Sequence, residues 1–273
     1  MKLKDIELTT PGFSGSIPEH YERVLGPMFF EPYAIEVSKR IDPTSANLVL
    51  EIGSGTGRVT AHLRNVISSS TKLIGSDISE DMLAVAKEKL KGLDIDWRII
   101  DAQDLPFDDD SIDVIVGCFC YMFVPEKSKA FAEAYRVLRP GGMFIFSTWD
   151  KLELNGASFT YRKIVRRLFE DSLPESYNLP FSMNDQIAIK GMLQESGFSK
   201  IKVESVDKDS ISQTAGDAAN GLARGGSIYN EIMKHDPSLV EEIIKELEKK
   251  LGETFGASPM IAPMTAVVCQ AWK

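Results

Sequence analysis

Leu48-Val49-Leu50-Glu51-Ile52-Gly53-Ser54-Gly55-Thr56-Gly57 decides how the rest of the chain is read. Leu48, Val49, Leu50 and Ile52 form a short apolar run, the pattern of a strand buried on both faces of a parallel sheet. Glycines follow at three alternate positions. An amphipathic pattern then begins, with Val59, Leu63, Val66 and Ile67 at helical spacing. Strand, glycine turn and helix bring backbone N–H groups close to a ligand with no Cβ in the way. The spacing is G-x-G-x-G, whereas a dinucleotide fingerprint reads G-x-G-x-x-G, and Arg58 stands where its third glycine would be. Arginine there is expected to obstruct the approach of helix to strand. Glu51, read as part of the turn, suits a positively charged ligand better than a pyrophosphate.

The stretch Glu51-Ile52-Gly53-Ser54-Gly55-Thr56-Gly57 resembles the first motif of the class I S-adenosylmethionine-dependent methyltransferases, whose cofactor carries a sulfonium cation and an amino acid. Arg136-Val137-Leu138-Arg139-Pro140-Gly141-Gly142 resembles a second, structural signature of that family. The resemblance is fullest over residues 46–150 and holds in outline over 20–45 and 151–273. It implies an α/β fold: a Rossmann-like, doubly wound seven-stranded sheet, mostly parallel with an antiparallel last strand, plus N-terminal lid helices and helical insertions. Residues 1–273 then form a single methyltransferase domain, with an arm and lid helices in 1–45, the cofactor-binding core in 46–150, and insertions and last strands in 151–273. Within the family, residues 46–150 are most similar to the small-molecule subgroup that includes the quinone-biosynthesis C-methyltransferases.

Along the chain, Tyr21 to Ile41 reads as one or two helices broken near Gly26-Pro27, either packed on the sheet edge or closing over the site as a lid. Lys72 to Ser76 is a second strand ending at Asp77, followed by a helix from Ser79 to Leu90 with Ser79 as its cap. An acid at the end of the second strand either accepts ribose hydroxyls or serves as a turn residue, and the glycine turn favours the first role. Ile95–Ile100, Ser111–Gly117 and Met143–Thr148 read as further strands, with a helix at Glu126–Leu138 ended by Pro140-Gly141-Gly142. Asp101-Ala102-Gln103 resembles the family's adenine-reading motif. Later helices are expected at Ser158–Glu170 and Met183–Ser196 and through residues 210–256, with strands at Lys200–Val206 and Ile261–Trp272. The first of these helices carries Arg162, Lys163, Arg166 and Arg167, which form either a solvated basic face or an attractor for an acidic substrate.

The resemblance implies a cofactor site made of Glu51, Gly53, Ser54, Gly55, Thr56, Gly57, Asp77, Ile78, Met82, Asp101, Ala102, Gln103 and Cys118. Ligands of open α/β sheets bind outside the carboxyl ends of the strands, near the switch in strand order. The methyl acceptor is therefore expected between Tyr21, Phe29, Phe30 and Tyr33 of the lid, the loop residues Phe119, Tyr121 and Met122, and Trp149. Such apolar and aromatic walls favour a small apolar or aromatic molecule. Methyl transfer from a sulfonium asks mainly for positioning in line with the leaving sulfur, so a dedicated base is optional. His20 and Tyr21 are the residues to consider for one. His62 reads as a surface residue and His235 as a turn residue.

The net charge of −9 argues against nucleic acid or an anionic membrane surface as the main partner. Cys118, Cys120 and Cys269 are odd in number and lack metal spacing, which points to a reducing, cytoplasmic setting, with Cys118 and Cys120 as packing residues. Asp108-Asp109-Asp110 reads as a solvated turn, and no metal site is expected. No apolar run is long enough for a transmembrane helix. Two rival functions keep part of the pattern: a nicotinamide-dependent oxidoreductase, disfavoured by Arg58 and Glu51, and a non-catalytic S-adenosylmethionine-binding protein. The sequence leaves the acceptor and the oligomeric state open.

Overall fold

The computed structural model describes residues 21–42, 46–169, 173, 175–226 and 228–273. Its sheet contains β1 (Leu48–Ile52), β2 (Lys72–Asp77), β3 (Asp96–Ile99), β4 (Ile112–Cys118), β5 (Leu138–Trp149), β6 (Lys200–Ser212) and β7 (Met260–Trp272), in the spatial order β3-β2-β1-β4-β5-β7-β6. The first five strands are parallel, and β7 inserts antiparallel between β5 and β6. The chain works outward from β1 to β3, then returns to the other side of β1 at β4. The order therefore reverses between β1 and β4, where open α/β sheets present their ligand crevice.

Nine helices are named here: α1 (Glu31–Ser38), α2 (Arg58–Val66), α3 (Glu80–Lys89), α4 (Lys127–Val137), α5 (Gly156–Phe169), α6 (Gln186–Glu195), α7 (Ala215–Gly225), α8 (Tyr229–His235) and α9 (Leu239–Phe255). Two apolar layers sandwich the sheet. Val49, Val114, Val116 and Ile145 point to one face, where Ala34 and Val37 of α1 and Val59 and Leu63 of α2 cover them. Leu50, Ile52, Ile115, Phe144 and Phe146 point to the other, against Phe131 of α4 and residues of α5, α6, α7 and α9. Burial on both faces is why the strands read as continuous apolar runs rather than as alternating patterns.

Several boundaries differ from the sequence expectation for physical reasons. The N-terminal segment is a wide π-helical stretch, Tyr21–Phe30, that holds Pro27 within it, so the change of helix type falls at Glu31 and not at Gly26-Pro27. A π-type turn suits a proline better than an α-helix interior, where the ring meets the preceding turn. Pro140-Gly141-Gly142 lies inside β5: pairing starts at Leu138, shifts register opposite Ile112 and Val114, and resumes at Met143, with Gly141 at φ +81° absorbing the extra residues. β3 is a short, half-exposed edge strand. β6 continues to Ser212 because β7 pairs with it along its full length, so residues 210–212 are strand and not helix.

Tyr33 fastens the N-terminal helices to the far half of the sheet. Its fully buried hydroxyl donates to the Val206 carbonyl of β6 at 3.0 Å and approaches the Met264 carbonyl of β7 at 3.2 Å. Tyr33→Phe keeps the ring and removes this tie, leaving buried carbonyls short of a donor. The expected loss is about 1–3 kcal/mol, read as a lower urea midpoint with an unchanged slope. An unaltered midpoint would show that water or the neighbouring strand replaces the hydroxyl.

Candidate cofactor and acceptor site

All three glycines of the turn adopt left-handed backbone, with φ of +67° at Gly53, +54° at Gly55 and +77° at Gly57. Two of them are also pinned by packing. A Cβ on Gly53 would fall 2.4 Å from Cys120 Cβ, and one on Gly57 would fall 2.9 Å from Leu90 and 3.1 Å from Ala86. Gly57 thus lets the start of α2 approach the end of α3, and the Arg58 side chain turns away toward Glu22 and Glu31. Above Gly55 a Cβ would meet nothing within 4 Å, so this glycine leaves room for a ligand beside its backbone.

Asp77 ties the turn to the end of β2. Its Oδ2 accepts from Gly55 N–H at 2.8 Å and its Oδ1 from Ser79 N–H at 2.9 Å. Burial pushes its carboxyl up from the usual range, and these backbone donors oppose the shift. Each oxygen keeps a further lone pair for a hydroxyl. Ile78 is half-buried beside it, and Met82 is buried in the first turn of α3, where its N–H donates to Ser79 Oγ at 3.3 Å.

Glu51 is the last but one residue of β1, not part of the turn, and is 1% exposed. Burial pushes its carboxyl up to about 8; the Thr60 hydroxyl and Lys89 work against this and the Asp77 charge adds to it. Glu51 Oε2 and the Ser54 hydroxyl, both buried, have no hydrogen-bond partner among the described residues. Beyond β3, Asp101 Oδ1 accepts from Gln103 N–H at 2.9 Å, and Gln103 Oε1 accepts from Glu126 N–H at 3.0 Å. Asp101 and Gln103 thereby shape one loop, with Ala102 buried between them. Cys118 closes β4, and burial holds its thiol well above the usual range. Cys120, read from the sequence as packing, reaches the turn itself: Sγ donates to the Ile52 carbonyl at 3.3 Å.

The predicted acceptor residues divide into two groups. Phe29, Phe30, Tyr33, Phe119 and Trp149 meet in one aromatic cluster at the carboxyl ends of β4 and β5. Phe119 stacks on Trp149 with centroids 4.2 Å apart, Phe30 meets Phe119 at 5.4 Å, and Phe29 meets Trp149 at 5.9 Å. Phe119 holds a left-handed backbone (φ +53°), rare for an aromatic residue, with its N–H donated to the Ser147 carbonyl. Tyr121 and Met122 do not join them. The Tyr121 ring folds under Gly117 into the core against Phe131, Phe144 and Phe146, and Met122 is equally buried. His20 and the side chain of Tyr21 lie outside the described residues.

Sequence reasoning missed the charge network that joins the N-terminal helices to this turn. Glu22 accepts from Thr56 Oγ1 at 2.5 Å, from Arg58 at 2.7 Å and from Lys89 at 2.9 Å. Glu31 takes the other end of the Arg58 guanidinium at 2.6 Å and meets His62 Nε2 at 2.8 Å. Burial opposes the ionised form of Glu31, yet Arg58 and His62 hold its carboxyl below the usual range. No local pattern signals it, since the two acids stand 36 and 27 residues before Arg58. His62, expected at the surface, is half-buried here, while His235 ends α8 with its ring 4.6 Å from that of Phe169.

A methyltransferase-domain family matches residues 50–146. The chain is 33% identical over 179 residues to the ubiquinone/menaquinone biosynthesis C-methyltransferase of Marinomonas sp., covering 59% of this chain and 70% of that protein. It is 29% identical over 224 residues to the demethylmenaquinone methyltransferase of Staphylococcus epidermidis, covering 77% and 93%. Among solved structures, the phosphoethanolamine N-methyltransferase 2 of Haemonchus contortus, in complex with S-adenosylhomocysteine, superposes with a TM-score of 0.62 at 19% identity over all of this chain and 61% of that one. The YcgJ protein of Bacillus subtilis superposes at 0.58 over 89% and 98%, again at 19% identity. The two structures speak for the fold. The donor set agrees with the sequence relatives: an orphaned buried carboxylate oxygen for a cation, an acid at the end of β2 with spare lone pairs, and a glycine turn open above Gly55. This chain therefore belongs to the class I S-adenosylmethionine-dependent methyltransferases and takes S-adenosylmethionine as its cofactor.

Proposed function

We propose that the chain methylates a ring carbon of a small, reduced quinone-type molecule. The observation that carries this reading is the aromatic cluster of Phe29, Phe30, Phe119 and Trp149 at the carboxyl ends of β4 and β5, next to the strand whose glycine turn forms the cofactor site. Flat aromatic walls in edge-to-face and stacked arrangements take a planar ring by offset stacking. The names of the Marinomonas and Staphylococcus relatives support a quinone-type acceptor.

When bound, S-adenosylmethionine supplies a methyl group already activated on a sulfonium. The residues of this chain then have three tasks. Glu51 offers a buried carboxyl whose ionised form a cationic neighbour favours, Asp77 accepts from the ribose hydroxyls of the cofactor, and the Asp101–Gln103 loop borders its adenine. Gly53, Ser54, Gly55, Thr56 and Gly57 give the backbone approach, with Ile78, Met82, Ala102 and Cys118 as apolar contacts. Phe119 and Trp149 hold the acceptor ring in line with the methyl group. Positioning of this kind can account for much of the rate, since well-oriented reactants gain roughly 7–11 kcal/mol over a bimolecular encounter.

S-adenosylhomocysteine should raise the melting temperature where NAD does not, with about 2.7 kcal/mol of stabilisation at a hundredfold excess over Kd. Asp77→Ala should fold and bind it at least about tenfold more weakly, one decade being about 1.4 kcal/mol. Labelled methyl groups should pass to reduced 1,4-naphthoquinones lacking a ring methyl, in preference to amines and simple phenols. Transfer confined to amines would remove the quinone reading and leave the cofactor assignment standing.

Glu51 adds a pH test on the ligand-free protein. Its native carboxyl titrates near 8, against 4.5 ordinarily. Between those values the native state holds a proton that the unfolded chain has released, so this group makes stability fall as pH rises through the window. Glu51→Gln is free of that dependence. Its melting temperature should match the parent near pH 5 and exceed it increasingly toward pH 8. A constant difference between the two proteins across that range would mean that Glu51 is already ionised in the fold.

A further inference from the structure

Arg162 is the one buried arginine among the described residues, at 5% exposure, and its charge has no acidic partner there. Three partly shielded arginines among the described residues have one: Arg58 has Glu22 and Glu31, Arg40 has Glu36 and Glu204, and Arg136 has Glu133 and Asp109. Arg162 donates instead to the Tyr177 carbonyl, and Tyr177 returns its hydroxyl to the Arg162 carbonyl at 2.6 Å. The guanidinium lies 4.3 Å from the Tyr177 ring centroid and 5.0 Å from that of Phe181. On the neighbouring residue, the Tyr161 hydroxyl is buried without a hydrogen-bond partner among the described residues, within electrostatic reach of the same charge. A guanidinium has five N–H donors in a planar fork and stays protonated in proteins, so most of its donor capacity is left over here. A buried charge without an opposite charge is costly, and a fold that keeps one has a use for it.

Its place in the fold indicates that use. Phe181 lies 6.3 Å from Trp149, centroid to centroid, and Trp149 stacks on Phe119. Arg162 is therefore joined by one aromatic ring to the wall of the aromatic cluster. Its helix neighbours Lys163, Arg166 and Arg167 are exposed, so the basic run of α5 is a solvated face with a single member turned inward. We infer that Arg162, with the Tyr161 hydroxyl, recognises an anionic oxygen carried by the methyl acceptor: a phenolate, enolate or carboxylate on the ring seated against Phe119 and Trp149. The inference deepens the acceptor reading above and rests on it. Arg162 acts in it as a specificity residue, holding the ring through its charged substituent while the aromatic walls hold its plane.

A matched pair of ring probes tests this without turnover. 2-Naphthoate is anionic, and 2-naphthamide is its neutral counterpart of nearly the same shape. Binding of each is measured by tryptophan fluorescence at saturating S-adenosylhomocysteine. The parent protein should prefer the anion at least tenfold. Arg162→Met should abolish the preference while S-adenosylhomocysteine affinity stays unchanged, a separation that a merely structural arginine would not produce. Should Arg162→Met fail to fold, Arg162→Lys decides the matter: it keeps the charge and loses the fork, and the preference should fall severalfold. Equal binding of the two probes to the parent, or a preference that survives either substitution, overturns the inference and leaves the ring-acceptor reading in place. If neither probe binds the parent, the inference and the aromatic seat fall together, whereas tight naphthoate binding without transfer to reduced naphthoquinones faults the quinone assignment alone.

Discussion

Three left-handed glycines at alternate positions set the geometry on which the site depends. An L-residue in that backbone region is strained, and at Gly53 and Gly57 a side chain would also strike Cys120 or Leu90. The turn can therefore leave β1 sharply and start α2 without lifting away from the sheet. Its amides then come within reach of Asp77, which binds Gly55 and Ser79 and so locks the ends of β1 and β2 together. The crevice at the reversal of strand order owes its shape to this lock. The loops after β3 and β4 are fastened to neighbouring elements in the same way, by Gln103 to α4 and by Cys120 to β1.

The acceptor side rests on a different principle. No single hydrogen bond organises it; the aromatic cluster forms because β4 and β5 end side by side and the N-terminal helices cross above them. The rings come from the Tyr21–Phe30 stretch, α1, the loop after β4 and the end of β5, so the wall exists only when these elements are assembled. The long β6–β7 ladder completes it from behind, since Tyr33 reaches those strands and draws α1 down with it.

The geometry around the glycine turn was legible in the sequence because it is local. Strand, turn and capped helix are written in consecutive residues, and Asp77 follows by the length of one helix and one strand. Glu51 was recognised as an acid near the turn, yet its full burial in β1 depends on α2 packing over it. Long-range partners were not legible. Nothing in Arg58 announced two glutamates about thirty residues upstream, and nothing in Arg162 distinguished it from Lys163 or Arg166 until α5 was seen to roll it inward. Tyr121 and Met122 misled because the chain after β4 winds into a short 3-10 turn, Tyr121–Phe123, that buries both side chains in the core. Pro140-Gly141-Gly142 misled in the same manner: its residues favour a break, but pairing with β4 on both sides carries the strand through it.

The N-terminal helices are attached at two places of unlike character, and this has a mechanical consequence. At Tyr33 the attachment is a buried hydroxyl bonded to strand carbonyls, which ionic strength barely reaches, although Glu36 and Arg40 add partly exposed ion pairs to β6 further along. Near Glu22 and Glu31 it consists of partly exposed ion pairs, with side-chain exposures between 16% and 33%, which dissolved salt screens over a Debye length of about 8 Å at physiological strength. The Tyr33 tie is thus indifferent to salt, and the Glu22 and Glu31 pairs are not. Those pairs meet Arg58, Lys89 and, through Glu22, Thr56 at the edge of the glycine turn, so added salt loosens the segment over that turn before it reaches the Tyr33 tie.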